Sequence, residues 1–336
     1  MVDRLRLPPR ALIAFQLALL IAVTTAPHGH AAAGKPAASR QTARAAADPE
    51  FGSHWHDGRA ELDGYRLTVQ RYGEPRVGQA VMVFVTEPFR ASTRVKADDP
   101  SRASADVFEV LKLNFARDFQ TGIYDYNTMV SLFVRSDSFE PVKLTFTSTE
   151  WCGNVYEELL VDPKQLQQRI FSYFEGESTA GPLPRPPGGV IEEELFVRLR
   201  GLRGEYMRPG TTRAVPFLAG SFHRRMTHVP ARWTRAVIEH LAAPERVEVP
   251  AGSFVTRAYV VRVADGREGR FHVEAAWPHR IVKWAWSAPR ATATTVSDAG
   301  ELTGTQRLAY WQLNGNGGER SLRALGLAPL PGPPGR

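Results

Sequence analysis

The densest group of polar and aromatic side chains lies in one short segment, Arg117–Asn127. It combines two carboxylates, Asp118 and Asp125, with two phenols, Tyr124 and Tyr126. The segment separates two strand-like runs, so we expect it to form the end of a hairpin, where phenol rings can stack on a sugar and carboxylates can bind a polar ligand. In a purely structural role, the same residues would clamp the sheet edge and cap turns.

A second candidate is the run Glu150-Trp151-Cys152-Gly153, which holds the chain's one cysteine. A thiol becomes a nucleophile when a nearby cation or histidine stabilises the thiolate, and Lys112 is one cation that the fold could supply. A cysteine after a strand is otherwise a small buried apolar residue. A hydrolase or transferase would use Cys152 or the Asp118/Asp125 pair, whose carboxylates can face each other on a hairpin.

Two tryptophans, Trp284 and Trp286, share one face of a predicted strand. They either line an apolar cavity or fill the core, because aromatic rings bury large areas in both settings. His54, His56 and Asp57 could begin a metal site, but no second histidine cluster is near them in sequence, so we expect no metal. No phosphate-binding glycine loop or Gly-x-Ser-x-Gly motif occurs in the sequence, and we expect no cofactor.

The elements that must position these residues are mostly strands. Ala80–Val85 is a continuous apolar run, as expected of a strand covered on both faces. Helices are predicted over Ile191–Leu202, with three glutamates in the first turn, and over Arg232–Ala243. Short turns join three further strands, which predicts an antiparallel meander: Phe254–Val263, Phe271–Trp277 and Ile281–Trp286.

The N-terminus has the pattern of a secretory signal peptide. Arginines precede the apolar run Ala11–Val23, and Ala31-Ala32-Ala33 supplies small residues for a cleavage site. The apolar run is shorter than the roughly 20 residues that span a bilayer, so no transmembrane segment is expected after cleavage. The protein is therefore expected to be exported, to the periplasm or outside the cell.

Composition excludes several classes of protein. The chain has 336 residues of which 43% are hydrophobic, enough for a large core. A single cysteine excludes an internal disulfide framework and a multi-cysteine zinc module. Lys and Arg number 42 against 35 Asp and Glu, a net charge of +7. These charges form no dense block of one sign, so nucleic acid is not an expected partner.

Changes in composition along the chain predict its domain boundaries. The predicted regions are a signal peptide (1–33), a flexible leader (34–50), an N-terminal β-rich region (51–178), a Pro/Gly-rich linker (179–189), a C-terminal β-rich region (190–325) and a disordered tail (326–336).

The turn Val249–Phe254, the hairpin that follows it, Ala276-Trp277-Pro278 and Trp284 together resemble the DUF3108 domain of exported bacterial proteins. Upstream segments are similar to uncharacterised secreted proteins or lipoproteins: Glu87-Pro88-Phe89, Asp118–Tyr126 and Glu150–Gly153. The resemblance covers roughly residues 55–325. It implies a curved antiparallel sheet wrapped on helices, like the periplasmic carriers of lipoproteins and lipids.

We therefore expect a mainly β (α+β) fold, with curved antiparallel meander sheets and a few short helices in a carrier-like half-barrel. The expected function is that of a non-enzymatic exported binding or carrier protein for an apolar or amphipathic ligand, with a lipid, a glycan or an envelope protein as partner. The alternatives are an envelope assembly protein and the hydrolase described above. The candidate ligand-binding residues are Lys112, Asp118, Tyr124, Asp125, Tyr126, Trp151, Cys152, Trp284 and Trp286.

Overall fold

Strands dominate the computed structural model, which describes residues 49–288 and 296–328. The predicted signal peptide, residues 34–48 of the predicted leader and residues 329–336 of the predicted tail lie outside this part of the chain. The strands before the predicted linker are β1 (Ala60–Arg71), β2 (Glu74–Arg90), β3 (Val95–Lys96), β4 (Val107–Thr121), β5 (Tyr124–Arg135), β6 (Pro141–Glu150), β7 (Gly153–Val161) and β8 (Gln165–Ser172).

The later strands are β9 (Thr179–Pro184), β10 (Val190–Ile191), β11 (Thr211–Leu218), β12 (Trp233–His240), β13 (Glu245–Val249), β14 (Gly252–Val263), β15 (Glu268–Glu274), β16 (Ile281–Ser287) and β17 (Val296–Leu308). The helices are α1 (Pro49–Trp55), α2 (Leu195–Arg198) and α3 (Ser221–Thr227), with 3-10 turns at Ser104–Asp106, Glu192–Glu194, Tyr310–Gln312 and Gly318–Leu325.

All of these strands belong to one sheet. Its main order is β9-β8-β7-β6-β5-β4-β2-β1-β17-β16-β15-β14-β12-β11, paired antiparallel throughout, with β10 added in parallel to β11. Strand β3 pairs with β2 and β13 pairs with β14. The pairing of β1 with β17 joins the two predicted β-rich regions. The mainly β, antiparallel fold with few short helices is confirmed.

The first part of the predicted linker forms the edge strand β9. Pro182 lies opposite Gln167 of β8, and Pro184 lies opposite Gln165. Proline has no N–H to donate, so it is tolerated where one side of a strand has no partner strand. The chain then runs from this sheet edge to β10, which begins at Val190 on the opposite edge.

The concave face of the sheet wraps around the residues of α2. Phe196 lies at the centre, with its ring 5.0 Å from Phe115 of β4 and 5.5 Å from both Phe271 and Trp284. Phe196 thus joins strands from the two halves of the sheet through one buried side chain. The helix predicted over Ile191–Leu202 is shorter than expected: the segment forms one 3-10 turn, Glu192–Glu194, followed by the four residues of α2.

The prediction of a helix over Arg232–Ala243 is wrong, because most of that segment forms strand β12. Its burial alternates along the chain: Ala236, Ile238 and His240 are buried, whereas Arg235 and Val237 are exposed. This period of two fits a strand with one covered face. Pairing with β11 and β14 on its two sides overrides the weak helical spacing of the sequence.

The strand over Ala80–Val85 is covered on both faces, as predicted. Met82 and Phe84 are buried in the main core, whereas Val83 and Val85 pack in a separate apolar cluster on the other face. Leu325, from the last 3-10 turn, belongs to that second cluster and covers this part of the sheet.

Trp284 and Trp286 each lie against a glycine of the next strand. Gly300 of β17 is opposite Trp284, and Gly269 of β15 is opposite Trp286. A Cβ atom at Gly300 would overlap the Trp284 ring. The missing side chains make room for the large rings, and Trp284 is fully buried in the core.

Hairpin turns of the first half of the sheet and helix α3 of the second half lie at one end of the sheet, which we call the mouth end. It is defined by the turns at residues 72–73, 122–123, 151–152 and 173–178, and by α3, which connects β11 to β12. The described ranges contain no helix with the length and apolar content that crossing a bilayer requires.

Candidate functional site

Helix α3 lies in the mouth end and is held at both of its termini. Buried Glu192 accepts a hydrogen bond from the Gly220 backbone N–H at 3.0 Å, and Glu193 accepts one from Ser221 N–H at 2.7 Å. These carboxylates satisfy N–H groups that a helix start leaves without partners. At the other end, Arg71 of β1 donates to the Met226 carbonyl at 2.8 Å. The helix therefore has a fixed position relative to the sheet.

A cavity of about 450 Å³ lies between α3 and the inner face of β6 to β9. We call it the large cavity because it is the larger of the two cavities beside α3. Its volume falls within the range of small-molecule binding pockets. Its apolar lining consists of Phe146, Val155, Ile170, Val229, Pro230 and Ala231. Its polar lining includes Glu157, Gln168, Ser221, Arg224, Arg225 and His228, and the turn residues 176–179 form part of its wall.

Opposite charges neutralise the polar wall of the large cavity. Arg224 of α3 donates to both carboxylate oxygens of Glu157 on β7, at 2.8 and 2.7 Å, and Gln168 adds a bond to the same carboxylate at 2.9 Å. Both members of the ion pair are almost completely buried. Arg225 is paired with buried Glu150 in the same way. The cavity thus combines an apolar wall with polar groups that carry no excess charge.

A smaller cavity of about 150 Å³ lies along the opposite side of α3, where Phe222, His223 and Met226 face it. Burial lowers the pKa of His223 to about 4, which keeps this imidazole neutral at physiological pH. Burial and the neighbouring Glu192 carboxylate raise the pKa of Glu193, on the same lining, to about 7. The volume is that of roughly five water molecules, so it suits water or a very small ligand.

Arg117 closes one side of the smaller cavity. Its guanidinium lies 3.6 Å from the Phe115 ring centroid and 4.5 Å from that of Phe222, so two aromatic faces enclose it. Its counter-ion is Asp298 at 3.5 Å. Burial raises the pKa of Asp298, and the Arg117 charge opposes that rise. Trp286 of the predicted site also lines this cavity.

The predicted phenols lie on the inner face of the mouth end. The Tyr126 hydroxyl is 2.9 Å from that of Tyr72, and Tyr124 donates to the same Tyr72 hydroxyl at 3.1 Å. The ring of Trp151 lies beside that of Tyr124, 6.4 Å between centroids. The fold thus brings Tyr124, Tyr126 and Trp151 together, and it adds Tyr72, which sequence reasoning missed.

The two predicted carboxylates lie on the outer face, away from the phenols. In the register of β4 and β5, Asp118 is opposite Asn127 and Asp125 is opposite Gln120. Burial raises the pKa of Asp118, and the Asp125 charge adds to the rise. A hydrogen bond from Asn127 lowers the pKa of Asp125. The pair is therefore close enough to interact. It lines an open groove of about 580 Å³ on the outer face and is not part of either cavity beside α3.

The remaining predicted residues do not join them. Lys112 is bound to Glu87 at 2.6 Å on the outer face of β4, and Cys152 is an exposed thiol in the turn between β6 and β7. Trp284 is inaccessible in the core. His54 and His56 contact different carboxylates, and no group of three His, Cys, Asp or Glu side chains suited to a metal ion occurs in residues 49–288 and 296–328.

Sequence reasoning also missed Glu157 and Arg224, the central ion pair of the large cavity. One signal was available, because the alternation of Val155, Glu157 and Leu159 places a carboxylate on the buried face of a strand. A charge at such a position requires a buried partner. The sequence contains no comparable signal for which arginine would supply it.

No protein-family profile matches this chain, and no curated protein resembles it in sequence. Two solved structures are similar in part. One is a β-barrel-like protein of domain of unknown function DUF1849 from Brucella abortus, with 10% identity, a TM-score of 0.42, and coverage of 74% of this chain and 98% of the other. The second is a DUF1089 family protein from Pseudomonas aeruginosa, with 12% identity, a TM-score of 0.32, and coverage of 51% and 82%. At these values, neither likeness assigns a family or a function to the chain.

Proposed function

We propose that the protein is an exported, non-enzymatic binding or carrier protein of the bacterial envelope that holds an amphipathic molecule in the large cavity. The observation that carries the proposal is the lining of that cavity. An apolar wall that includes Phe146, Val155 and Ile170 suits a hydrocarbon group, whereas the wall of Glu157 and Arg224 suits an uncharged or zwitterionic polar group. Export and the likeness to DUF3108 belong to the proposal and rest on the sequence.

The state of the polar groups supports binding rather than catalysis. The Glu157 carboxylate is already bound by Arg224 and Gln168, so it acts as a counter-ion and not as a general base. Of the candidates for a hydrolase, Cys152 lines neither cavity beside α3, and the Asp118/Asp125 pair lines a separate open groove on the outer face of the sheet. A pocket in which the Glu157 and Arg224 charges neutralise each other suits a carrier, because its ligand must leave unchanged.

The proposal is tested with the apolar probe N-phenyl-1-naphthylamine and with lipid extracts of the purified protein. We expect saturable binding of the probe by the full chain. Ala231→Phe, which fills part of the large cavity, should weaken probe binding about tenfold or more. The matched control is Ala243→Phe, which places the same ring on an exposed turn at the other end of the sheet.

Thermal melting of both variants checks that the fold is intact. The proposal is wrong if the wild-type chain shows no saturable binding, or if a folded Ala231→Phe variant binds the probe as well as the Ala243→Phe control does.

A second candidate, an envelope assembly protein, is favoured by an apolar stripe on the outer face. Met129, Tyr156 and Phe171 are exposed and lie in one row of the register across β5, β7 and β8, with Thr147 of β6 between them. Exposed apolar rows on a sheet mark contacts with other molecules. Capture of an envelope protein that is lost in Phe171→Ser, with probe binding unchanged, would support this second candidate.

A further inference from the structure

Four successive hairpin turns at the mouth end each carry an exposed apolar side chain. These residues, which we call the apolar tips, are Tyr72 (58% exposed), Ile123 (79%), Trp151 (69%) and Tyr173 (67%). The turns join β1 to β2, β4 to β5, β6 to β7 and β8 to β9, which are neighbouring hairpins in the sheet. Large side chains this exposed, repeated at every turn, mark a contact surface rather than scattered surface residues.

The other half of the sheet has a described turn of different composition at the mouth end. In the other half of the sheet, the turn between β14 and β15 lies at the same end but consists of Ala264-Asp265-Gly266-Arg267, with Asp265 and Gly266 at its centre. Apolar turns are therefore not a general feature of this fold. The backbone at Tyr72 also has a φ of 57°, a left-handed conformation that favours glycine, so the tyrosine is held there at some cost.

The spacing of the tips favours a fluid surface. Neighbouring strands are about 4.8 Å apart, so successive hairpins are about 10 Å apart and the four tips extend over roughly 30 Å. A row of exposed apolar side chains on separate turns fits a bilayer, which deforms around each of them. Trp and Tyr are also the residues that concentrate at the boundary between water and lipid, because their rings are apolar and carry one polar group.

Charge near the tips identifies the kind of lipid surface. Asp125 and Glu175 are exposed close to the tips, and Glu177 lies in the same turn as Tyr173. Such carboxylates are repelled by an anionic membrane, and the Arg71 guanidinium next to Tyr72 already donates to the Met226 carbonyl and the Tyr126 hydroxyl. Apolar insertion rather than attraction to negative headgroups would therefore carry the contact. A zwitterionic surface matches this mixture of apolar and acidic groups.

The tips are continuous with the large cavity. Residues 176–178 line that cavity and belong to the same β8–β9 turn as Tyr173. We propose that the apolar tips dock the protein on a zwitterionic lipid bilayer and thereby place the opening of the large cavity at the membrane surface. The role in ligand exchange rests on the proposed carrier function, whereas the docking itself is tested separately.

The single cysteine provides a direct test, because Cys152 is exposed and adjacent to Trp151. A polarity-sensitive fluorophore attached to Cys152 should shift to shorter wavelength when phosphatidylcholine vesicles are added. Flotation of the unlabelled chain with the same vesicles should be insensitive to salt between low and high concentration, because it does not depend on ionic attraction. Adding phosphatidylglycerol should not strengthen it.

Variants locate the contact. The double variant Trp151→Ser, Ile123→Ser should reduce vesicle binding about tenfold or more. The matched control is Trp311→Ser, since Trp311 is also an exposed tryptophan (45%) but follows β17 at the opposite end of the sheet. The inference is overturned if the wild-type chain does not float with vesicles, or if Trp311→Ser has the same effect as the tip variant.

Two further outcomes separate the hypotheses. The first is the oligomeric state, measured by sedimentation without lipid. If the wild-type chain is a dimer and the tip variant is a monomer, the tips bind a second copy of the chain, and the inference is overturned. Ala231→Phe should lose the apolar probe and keep vesicle binding, whereas the tip variant should do the reverse. A wild-type chain that binds the probe but does not bind vesicles therefore contradicts only this inference, and a wild-type chain that binds vesicles but not the probe contradicts only the carrier function.

Discussion

Arg224 and Glu157 connect the inserted helix to the sheet through a buried ion pair, with both carboxylate oxygens within 2.8 Å of one guanidinium nitrogen. Arg224 lies on α3 and Glu157 on β7, 67 residues apart in sequence. The pair sets the distance between helix and strand, and that distance determines the width of the large cavity.

Removing one member of this pair should destabilise the fold strongly. Glu157→Gln leaves the Arg224 charge buried without its counter-ion, and we expect the free energy of unfolding to fall by about 3 kcal/mol or more. Arg224→Met should cost a similar amount. Urea unfolding of both variants and of the double variant completes a double-mutant cycle. Additive effects in the double variant would show that the two groups do not interact.

Stability should depend on pH through Glu193. Its pKa is about 7 in the folded protein, raised by burial and by Glu192, against an ordinary value of 4.5. Between these values the folded state holds a proton that the unfolded state releases, so stability falls as pH rises from about 4.5 to 7 and then levels off. Glu193→Gln removes this loss, and we expect it to stabilise the protein by about 3 kcal/mol at pH 8 and little at pH 4.5.

Denaturant unfolding at the two pH values measures this difference for Glu193→Gln. Glu175→Gln, at an exposed turn position, serves as the control and should follow the wild-type profile. If Glu193→Gln also follows the wild-type profile, the carboxyl group is not protonated in the folded state at neutral pH.

Gly300 should be intolerant of any side chain. A Cβ atom there overlaps the buried Trp284 ring, and because the core is close-packed the ring has no free space to enter. We expect Gly300→Ala to lower the free energy of unfolding by about 1–3 kcal/mol. Gly315→Ala is the matched control, because no atom lies within 4 Å of its added carbon. Equal stability of the two variants would contradict the packing described for Trp284.

The Cys152 thiol should be accessible and dispensable. It is exposed in the folded chain, so Ellman's reagent should modify it completely at nearly the rate measured in urea. Cys152→Ser should melt at the wild-type temperature and bind N-phenyl-1-naphthylamine equally well. A thiol that reacts only after unfolding, or a Cys152→Ser variant that no longer binds the probe, would show that this residue contributes to the site.

The sequence by itself determined the fold class, because local patterns suffice for it. The continuous apolar run Ala80–Val85 and the short turns of the predicted meander Phe254–Val263, Phe271–Trp277 and Ile281–Trp286 act over a few residues. They predict strands that overlap β2, β14, β15 and β16. The same local reasoning failed at Arg232–Ala243, where pairing with two distant strands outweighed a weak helical spacing.

Tertiary structure alone decided which side chains share a cavity. The pleat of the sheet separates the side chains of the segment Arg117–Asn127, because successive residues of a strand point to opposite faces. Tyr124 and Tyr126 face inward, and Asp125 faces outward. Arg224 and Glu157 met across 67 residues only because the curled sheet brings α3 against β7. Contacts of that kind depend on the curvature of the whole sheet, and no short stretch of sequence encodes it.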